Sequence, residues 1–190
     1  MYYRHWIWMA LPLLAWPVFA STTQPAAPVA DGLIGPGEYR FNYLHAPSRI
    51  ILHWTVLGDT IYLAVESPSR GWTGIGFGPT APGKFDADMY QWVVKGDQIT
   101  LLDSVMTNSR GVPKTDTVVG GRDDVIAAAG STRGAGTIAE FSRKLDTGDK
   151  ADQVIVLGRP TPMLVAFGAT SRFTVNRDPR TSWRTSVTFK

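Results

Sequence analysis

Short segments rich in β-branched and aromatic residues recur along this chain, separated by Gly, Asp, Asn and Pro. In residues 49–56 and 60–66 every second side chain is apolar, and the Gly58–Asp59 pair between them predicts a tight turn. Residues 89–94 and 98–103 predict a second hairpin. This spacing of strands and turns is typical of an all-β sandwich or barrel.

The N-terminal region predicts export. Residues 1–20 combine a basic start, an apolar run and small residues at Val18 and Ala20, which is the pattern of a secretory signal peptide cleaved after Ala20. The apolar run is shorter than the roughly 20 residues that span a bilayer, and an uncleaved anchor is the alternative. Residues 21–30 predict a flexible linker and residues 31–190 a single domain. We therefore expect a secreted or periplasmic protein with no transmembrane helix after signal cleavage.

Composition excludes several classes of function. The chain has no Cys, which excludes disulfides, thiolate metal sites and a cysteine nucleophile. His45 and His53 have no partner at metal-ligand spacing, so we expect structural or surface roles for both. The net charge of +3 is small, and the scattered Lys and Arg form no basic stripe, so we expect no nucleic-acid partner. One helix-like segment, residues 123–129, predicts one or two helical turns.

The most unusual local pattern is the glycine-rich segment Gly71–Gly78. In a strand of this sequence Trp72, Gly74 and Gly76 lie on one face, which is then nearly bare of side chains. Glycine weakens a strand unless something approaches its backbone closely. We expect a chain segment, a large aromatic side chain or a flat ligand against this face. A phosphate-binding loop is excluded, because neither a Lys–Ser/Thr pair nor a helix start follows.

Acidic residues near two turns suggest further chemistry. Asp86 and Asp88 could bind calcium, act as general acid and base, or accept hydrogen bonds from loop amides. Calcium needs roughly six or more oxygens at a looser spacing, so we favour the amide bonds and predict no metal site. Residues 146–148 read Asp-Thr-Gly, but an aspartic protease needs two such carboxylates. We predict instead a turn in which Gly148 has positive φ and Asp146 bonds the local backbone, and we expect no catalytic residue.

In their order along the chain, several segments resemble the DOMON domain family of secreted β-sandwiches. The segments that carry the resemblance are Asp31–Ile34, Pro36–Tyr39, Leu52–Trp54, Gly71–Gly78, Ala87–Asp88, Trp92, Gly120–Gly121, Thr137–Asp152, Val165–Gly168 and Arg180. The resemblance implies an immunoglobulin-like sandwich of two antiparallel sheets, with a ligand at one end or between loops and sheet.

Many DOMON domains hold haem b, and the resemblance implies where its axial ligands would lie. The family's Met stands in the loop before the Ala-Asp strand, and its His stands a few residues before a late Arg. Aligning Gly83 and Asp88 puts Lys84 at the Met position, and aligning Arg180 puts Asn176 at the His position. An ammonium and an amide do not replace a thioether and an imidazole at haem iron, so we expect no Met/His haem, and the cofactor stays unknown.

The predicted function is binding by a module that is not itself an enzyme. It would take a small ligand, or dock as an accessory subunit on a membrane, periplasmic or cell-surface complex, including a redox complex. The alternative is a haem b electron-transfer protein with altered axial ligation. The candidate pocket residues are Trp72, Gly74, Gly76, Lys84, Met89, Tyr90, Trp92, Phe173 and Asn176.

Overall fold

The structure is a computed structural model that describes residues 26–79, 86–108, 112–173 and 181–190. The predicted signal peptide, the first half of the predicted linker, and Lys84, Asn176 and Arg180 lie outside the described residues. The elements in the described ranges are β1 (Phe41–His45), β2 (Ile50–Leu57), β3 (Thr60–Ser67), β4 (Thr73–Phe77), β5 (Asp88–Lys95), β6 (Gln98–Val105), β7 (Lys114–Thr115), α1 (Asp116–Val119), β8 (Ala127–Arg133), β9 (Gly136–Lys144), β10 (Pro160–Phe167) and β11 (Ser182–Thr188).

The strands form two antiparallel sheets. Sheet A has the order β1-β2-β3-β9-β8, and sheet B has the order β11-β10-β4-β5-β6-β7. Their inner faces meet in one apolar core to which both sheets contribute. This arrangement confirms the prediction of an all-β protein built as a two-sheet antiparallel sandwich.

Alternation along each strand decides which side chains enter the core. In β2, Leu52 and Trp54 are buried, as predicted. In β5 the inward positions are Tyr90 and Trp92, which are fully buried and pack on Phe141 of the opposite sheet. The Tyr90 and Phe141 rings stack with their centroids 5.0 Å apart. Aromatic pairs of this kind bury large areas and join the two sheets.

The predicted turns are confirmed. The β5–β6 hairpin turns at Gly96, whose φ of 66° lies in the left-handed region that favours glycine. After β9, Gly148 has a φ of 69°, and its amide donates a 2.9 Å hydrogen bond to Oδ1 of Asp146. Residues 146–148 therefore form a turn that the Asp146 side chain stabilises, as expected.

The helical turn predicted for residues 123–129 is wrong. Residues 127–133 form β8, which pairs along its whole length with β9, and the helix seen in the described ranges is the four-residue α1. Three consecutive alanines favour a helix locally, but the ladder with β9 gives their backbone groups hydrogen-bond partners and overrides that preference. Within the described ranges no helix is long and apolar enough to cross a membrane.

The described part of the predicted linker packs against the domain. Pro28 is buried, and the amide of Val29 donates a hydrogen bond to Oε1 of Glu38 at 3.1 Å. A few residues later the amide of Gly32 donates to Oε2 of the buried Glu140 at 2.6 Å. Within the segment predicted to be flexible, Pro28 and the amide of Val29 therefore contact the domain, whereas the Val29 side chain is exposed.

Candidate functional site

The glycine-rich strand β4 has two different faces. Ile75 belongs to the core, whereas Gly74 and Gly76 lie on the outer face of sheet B, as the alternation predicts. Their cross-strand partners on β5 are Gln91 and Met89. The Met89 thioether occupies the space that a side chain at Gly76 would need, and the Gln91 side chain lies against Gly74. Of the three coverings expected for this face, the structure shows two: side chains of the neighbouring strand β5 lie against both glycines, and the Trp72 indole also lies against Gly74.

Met89 and Gln91 form part of the floor of a cleft on the outer face of sheet B, which we call the outer cleft. Its lining residues are Trp72, Met89, Gln91, Met106, Val112, Pro113, Leu164, Ala166, Phe173 and Ser182. The accessible volume is about 30 Å³, room for one or two water molecules. A larger guest must therefore displace side chains, and unbranched methionines adapt to such displacement.

The outer cleft contains part of the predicted pocket. Trp72, Met89 and Phe173 line it, and Gly74 and Gly76 lie beneath its floor.

The placement of Tyr90 and Trp92 in the same pocket is wrong. Both side chains are fully buried in the core on the inner face of sheet B. The physical reason is the two-residue period of β5, which turns Tyr90 and Trp92 inward when Met89 and Gln91 turn outward. Lys84 and Asn176 lie outside the described residues.

Among the described residues, the lining of the outer cleft does not include the ligand pair of a Met/His haem. Nδ1 of His45, at the end of β1, lies 2.7 Å from Oγ of Ser48, and the His45 side chain is buried. Nε2 of His53, on β2, lies 2.8 Å from Oε1 of Glu66. Both imidazoles belong to sheet A, so the described lining of the outer cleft contains thioethers but no imidazole.

A cluster of buried polar side chains lies inside the sandwich at one end of the core. Asp88 on β5 forms an ion pair with Arg143 on β9, and both side chains are fully buried. The amide of Gln153 donates to Oδ2 of Asp88 at 3.1 Å, which confirms the expected bond from a loop amide. Arg143 also donates to the hydroxyl of Tyr90 at 3.0 Å and to the carbonyl of Gln153 at 3.1 Å.

Two further carboxylates stand beside Asp88. Asp88, Asp103 and Asp152 each place an oxygen within 4.8 Å of the others, so these are the described residues that could hold a metal ion. Burial raises the pKa of Asp88 to about 7, opposed by Arg143, and burial likewise raises the pKa of Asp103 to about 7. The pKa of Asp152 is also raised by burial.

Reasoning from the sequence missed Asp103 and Asp152. A signal existed for Asp103, because the alternation of β6 places it on the same inward face as Leu101. Asp152 carried no such signal, because it lies in the irregular segment that follows β9.

The DOMON domain family matches this chain over residues 47–168, from just before β2 to the end of β10. No curated protein has a sequence that matches the chain. The fold is similar to the cytochrome b domain of pyranose dehydrogenase from Coprinopsis cinerea, with a TM-score of 0.53 and 13% identity, covering 76% of this chain and 80% of that one. It is also similar to the cytochrome domain of Myriococcum thermophilum cellobiose dehydrogenase, with a TM-score of 0.51 and 9% identity, covering 79% and 88%. With the family match extending over more than half of its length, the chain belongs to the DOMON domain family.

Proposed function

We propose that this protein is an exported, non-catalytic DOMON module that binds a small, flat, apolar molecule in the outer cleft. The observation that carries the proposal is the outer face of sheet B itself. There the glycines of β4 make room for Met89 and Gln91, and Trp72 and Phe173 contribute aromatic surface.

The chemistry of the outer cleft supports binding of an apolar molecule. Its described lining is mainly aliphatic, aromatic and thioether, with polar groups at Gln91 and Ser182. Small-molecule sites generally combine an apolar surface with a few polar groups that fix the orientation of the ligand. Met89 and Met106 can rearrange around a flat guest at low cost, because their side chains are unbranched and polarizable.

The same lining supports a role without catalysis. None of its described residues is an Asp, Glu, His, Lys, Tyr or Cys, the side chains that usually transfer protons in general acid–base catalysis.

The setting of the module follows from the signal peptide predicted at residues 1–20 and from the structures that it resembles. Export would place it in the periplasm or outside the cell. The two similar structures are domains of dehydrogenases, which supports docking on a redox or other complex as an accessory subunit.

The proposal can be tested with 8-anilinonaphthalene-1-sulfonate, a dye with an apolar aromatic body and one sulfonate group, whose fluorescence rises when the aromatic body leaves water. We expect one dye molecule to bind per chain. The variant Ala166→Phe fills the cleft from its floor and should weaken binding about tenfold or more, whereas Ala128→Phe, at an exposed position of β8, should leave it unchanged. Equal dye binding by both variants and the parent protein would contradict the assignment of the cleft.

A haem b electron-transfer protein is the second candidate, and one observation favours it. Met89 and Met106 place two thioethers at the outer cleft, and thioethers are known axial ligands of haem iron. If Met89 held a haem, Met89→Ala would change or abolish the Soret band of the purified protein. A protein that binds a molecule other than haem has no Soret band, so Met89→Ala would leave its visible spectrum unchanged.

A further inference from the structure

The buried end of the sandwich holds more negative charge than its one arginine balances. Asp88, Asp103 and Asp116 are at most 4% exposed, and the side chain of Asp152 is 2% exposed. We call these four residues the acidic end cluster. Arg143 contacts two of them, through its ion pair with Asp88 and an N–O distance of 3.6 Å to Asp152. Four ionised carboxylates against one guanidinium leave a net charge of about −3 on side chains that are shielded from solvent, which is costly.

Several oxygens of this cluster lack a hydrogen-bond donor. They are Oδ1 of Asp88, Oδ1 of Asp103 and both oxygens of Asp116 and of Asp152. Asp116 is 1% exposed, and the charges that act on it most strongly are those of Asp103, Asp152 and Asp88. An unpaired buried carboxylate that faces other carboxylates requires a positive partner or protons.

The geometry of the acidic end cluster matches a hard cation. Oxygens on opposite sides of a calcium ion lie about 4.6 to 5.2 Å apart, twice the Ca–O distance. Asp88, Asp103 and Asp152 place oxygens within 4.8 Å of one another, which is inside that span. Magnesium prefers to keep several waters rather than enter a cage of protein oxygens, and zinc prefers nitrogen and sulfur ligands. Three carboxylates supply three to six of the roughly six or more oxygens that calcium takes, and backbone carbonyls or water would complete the set, so calcium fits these donors best.

We propose that the acidic end cluster is a calcium site, with Asp88, Asp103 and Asp152 as carboxylate ligands and Asp116 beside them. The site joins parts of the chain that are far apart in sequence: β5, β6, the start of α1 and the segment after β9. Arg143 stays outside the ion and holds Asp88 in place through a hydrogen-bonded ion pair. The site lies on the inner side of sheet B, so it is independent of the outer cleft and of the proposed function.

The first test is a calcium titration of the full-length exported protein after treatment with EDTA and removal of the chelator. We expect isothermal titration calorimetry to show one calcium ion per chain. The melting temperature in millimolar CaCl₂ should be several degrees above its value in EDTA, because calcium binds the folded state. Equimolar MgCl₂ should have a much smaller effect.

The second test uses variants of the same size. Asp103→Asn keeps an acceptor for the amide of Asp124, which donates to Asp103 at 2.9 Å, and Asp116→Asn removes a carboxylate with no donor. Each should weaken calcium binding about tenfold or more. In EDTA each should melt at or above the temperature of the parent protein, because one repelling charge is gone. Asp97→Asn, exposed in the β5–β6 turn, is the matched control and should change neither quantity.

Three results would overturn the calcium site. The first is a parent protein with the same melting temperature in CaCl₂ and in EDTA and no heat of binding, a result that does not depend on any variant folding. The second is tighter binding of magnesium than of calcium. The third is Asn variants that melt well below the parent protein in EDTA yet keep its calcium affinity, since that pattern fits a structural role alone.

Discussion

At the scale of single residues, the outer face of sheet B depends on a glycine and a methionine. A Cβ atom at Gly76 would overlap the Met89 thioether, its cross-strand neighbour. Valine at this position should lower the free energy of unfolding by about 1–3 kcal/mol, because the side chain of Met89 has to leave its place. Urea denaturation measures this change.

The double variant Gly76→Val with Met89→Ala provides the control for that prediction. If the overlap with Met89 causes the loss, the two changes should not add, and the double variant should recover part of the stability. An unchanged urea midpoint for Gly76→Val alone would contradict the packing described for this face.

Arg143 is the residue on which the buried charges depend most. Its guanidinium pairs with Asp88 and donates to Tyr90 and to the carbonyl of Gln153. Arg143→Met should destabilise the fold by about 3–5 kcal/mol, because the change leaves a buried carboxylate without its partner. The comparison is Arg133→Met at the exposed end of β8, which should lose little. Equal losses in the two variants would contradict the role of Arg143.

At the scale of elements, alternation along strands explains what the sequence could and could not predict. The hairpins β2–β3 and β5–β6 were predictable, because each joins two alternating segments through a turn. The two faces of β4 were predictable for the same reason. The pocket prediction failed at Tyr90 and Trp92, because it grouped aromatic residues without applying the period of β5.

Other features could not be read from local sequence at all. Residues 127–129 are alanines, which favour a helix locally. They form a strand because β8 lies at the edge of sheet A and pairs there with β9, and that position in the sheet is set by the whole fold. Asp88 and Asp103 are neighbours across the β5–β6 hairpin, but Asp152 joins them only through the path of the chain after β9. Proximity of this kind is a property of topology, and a single sequence does not reveal it.

The junction of β4 and β10 leads to a prediction at the same scale. The amide of Gly168 donates to the carbonyl of Trp72 at 2.9 Å, and a Cβ at Gly168 would overlap the Trp72 indole. Gly168→Ala should therefore displace the Trp72 side chain, which lines the outer cleft, and weaken dye binding severalfold. Gly35→Ala is the control, because a Cβ there would approach only the side chain of Glu38. Unchanged dye binding by Gly168→Ala would contradict a role for Trp72 in the cleft.

At the scale of the whole molecule, the acidic end cluster makes stability depend on pH. Burial raises the pKa of Asp88 and of Asp103 to about 7 and that of Asp116 to about 8. In the unfolded chain the pKa of an Asp side chain is about 3.9. Between about pH 4 and pH 8 the folded metal-free protein therefore binds more protons than the unfolded chain, so its stability falls as the pH rises. The melting temperature in EDTA should be lower at pH 8 than at pH 5.

The same comparison in CaCl₂ is the control. If calcium occupies the acidic end cluster, it takes the place of the protons and should reduce the loss of stability between pH 5 and pH 8. A melting temperature in EDTA that rises over this range would contradict the raised pKa values of these carboxylates.

The most direct test of the outer cleft as a haem-free site is the absorbance of the full-length protein purified from cells supplied with haem. The spectrum over roughly 350–600 nm, before and after reduction with dithionite, covers the haem bands. We expect no Soret band and no reduced α and β bands, because the described lining of the cleft has no imidazole. A Soret band that persists through dialysis would contradict this expectation.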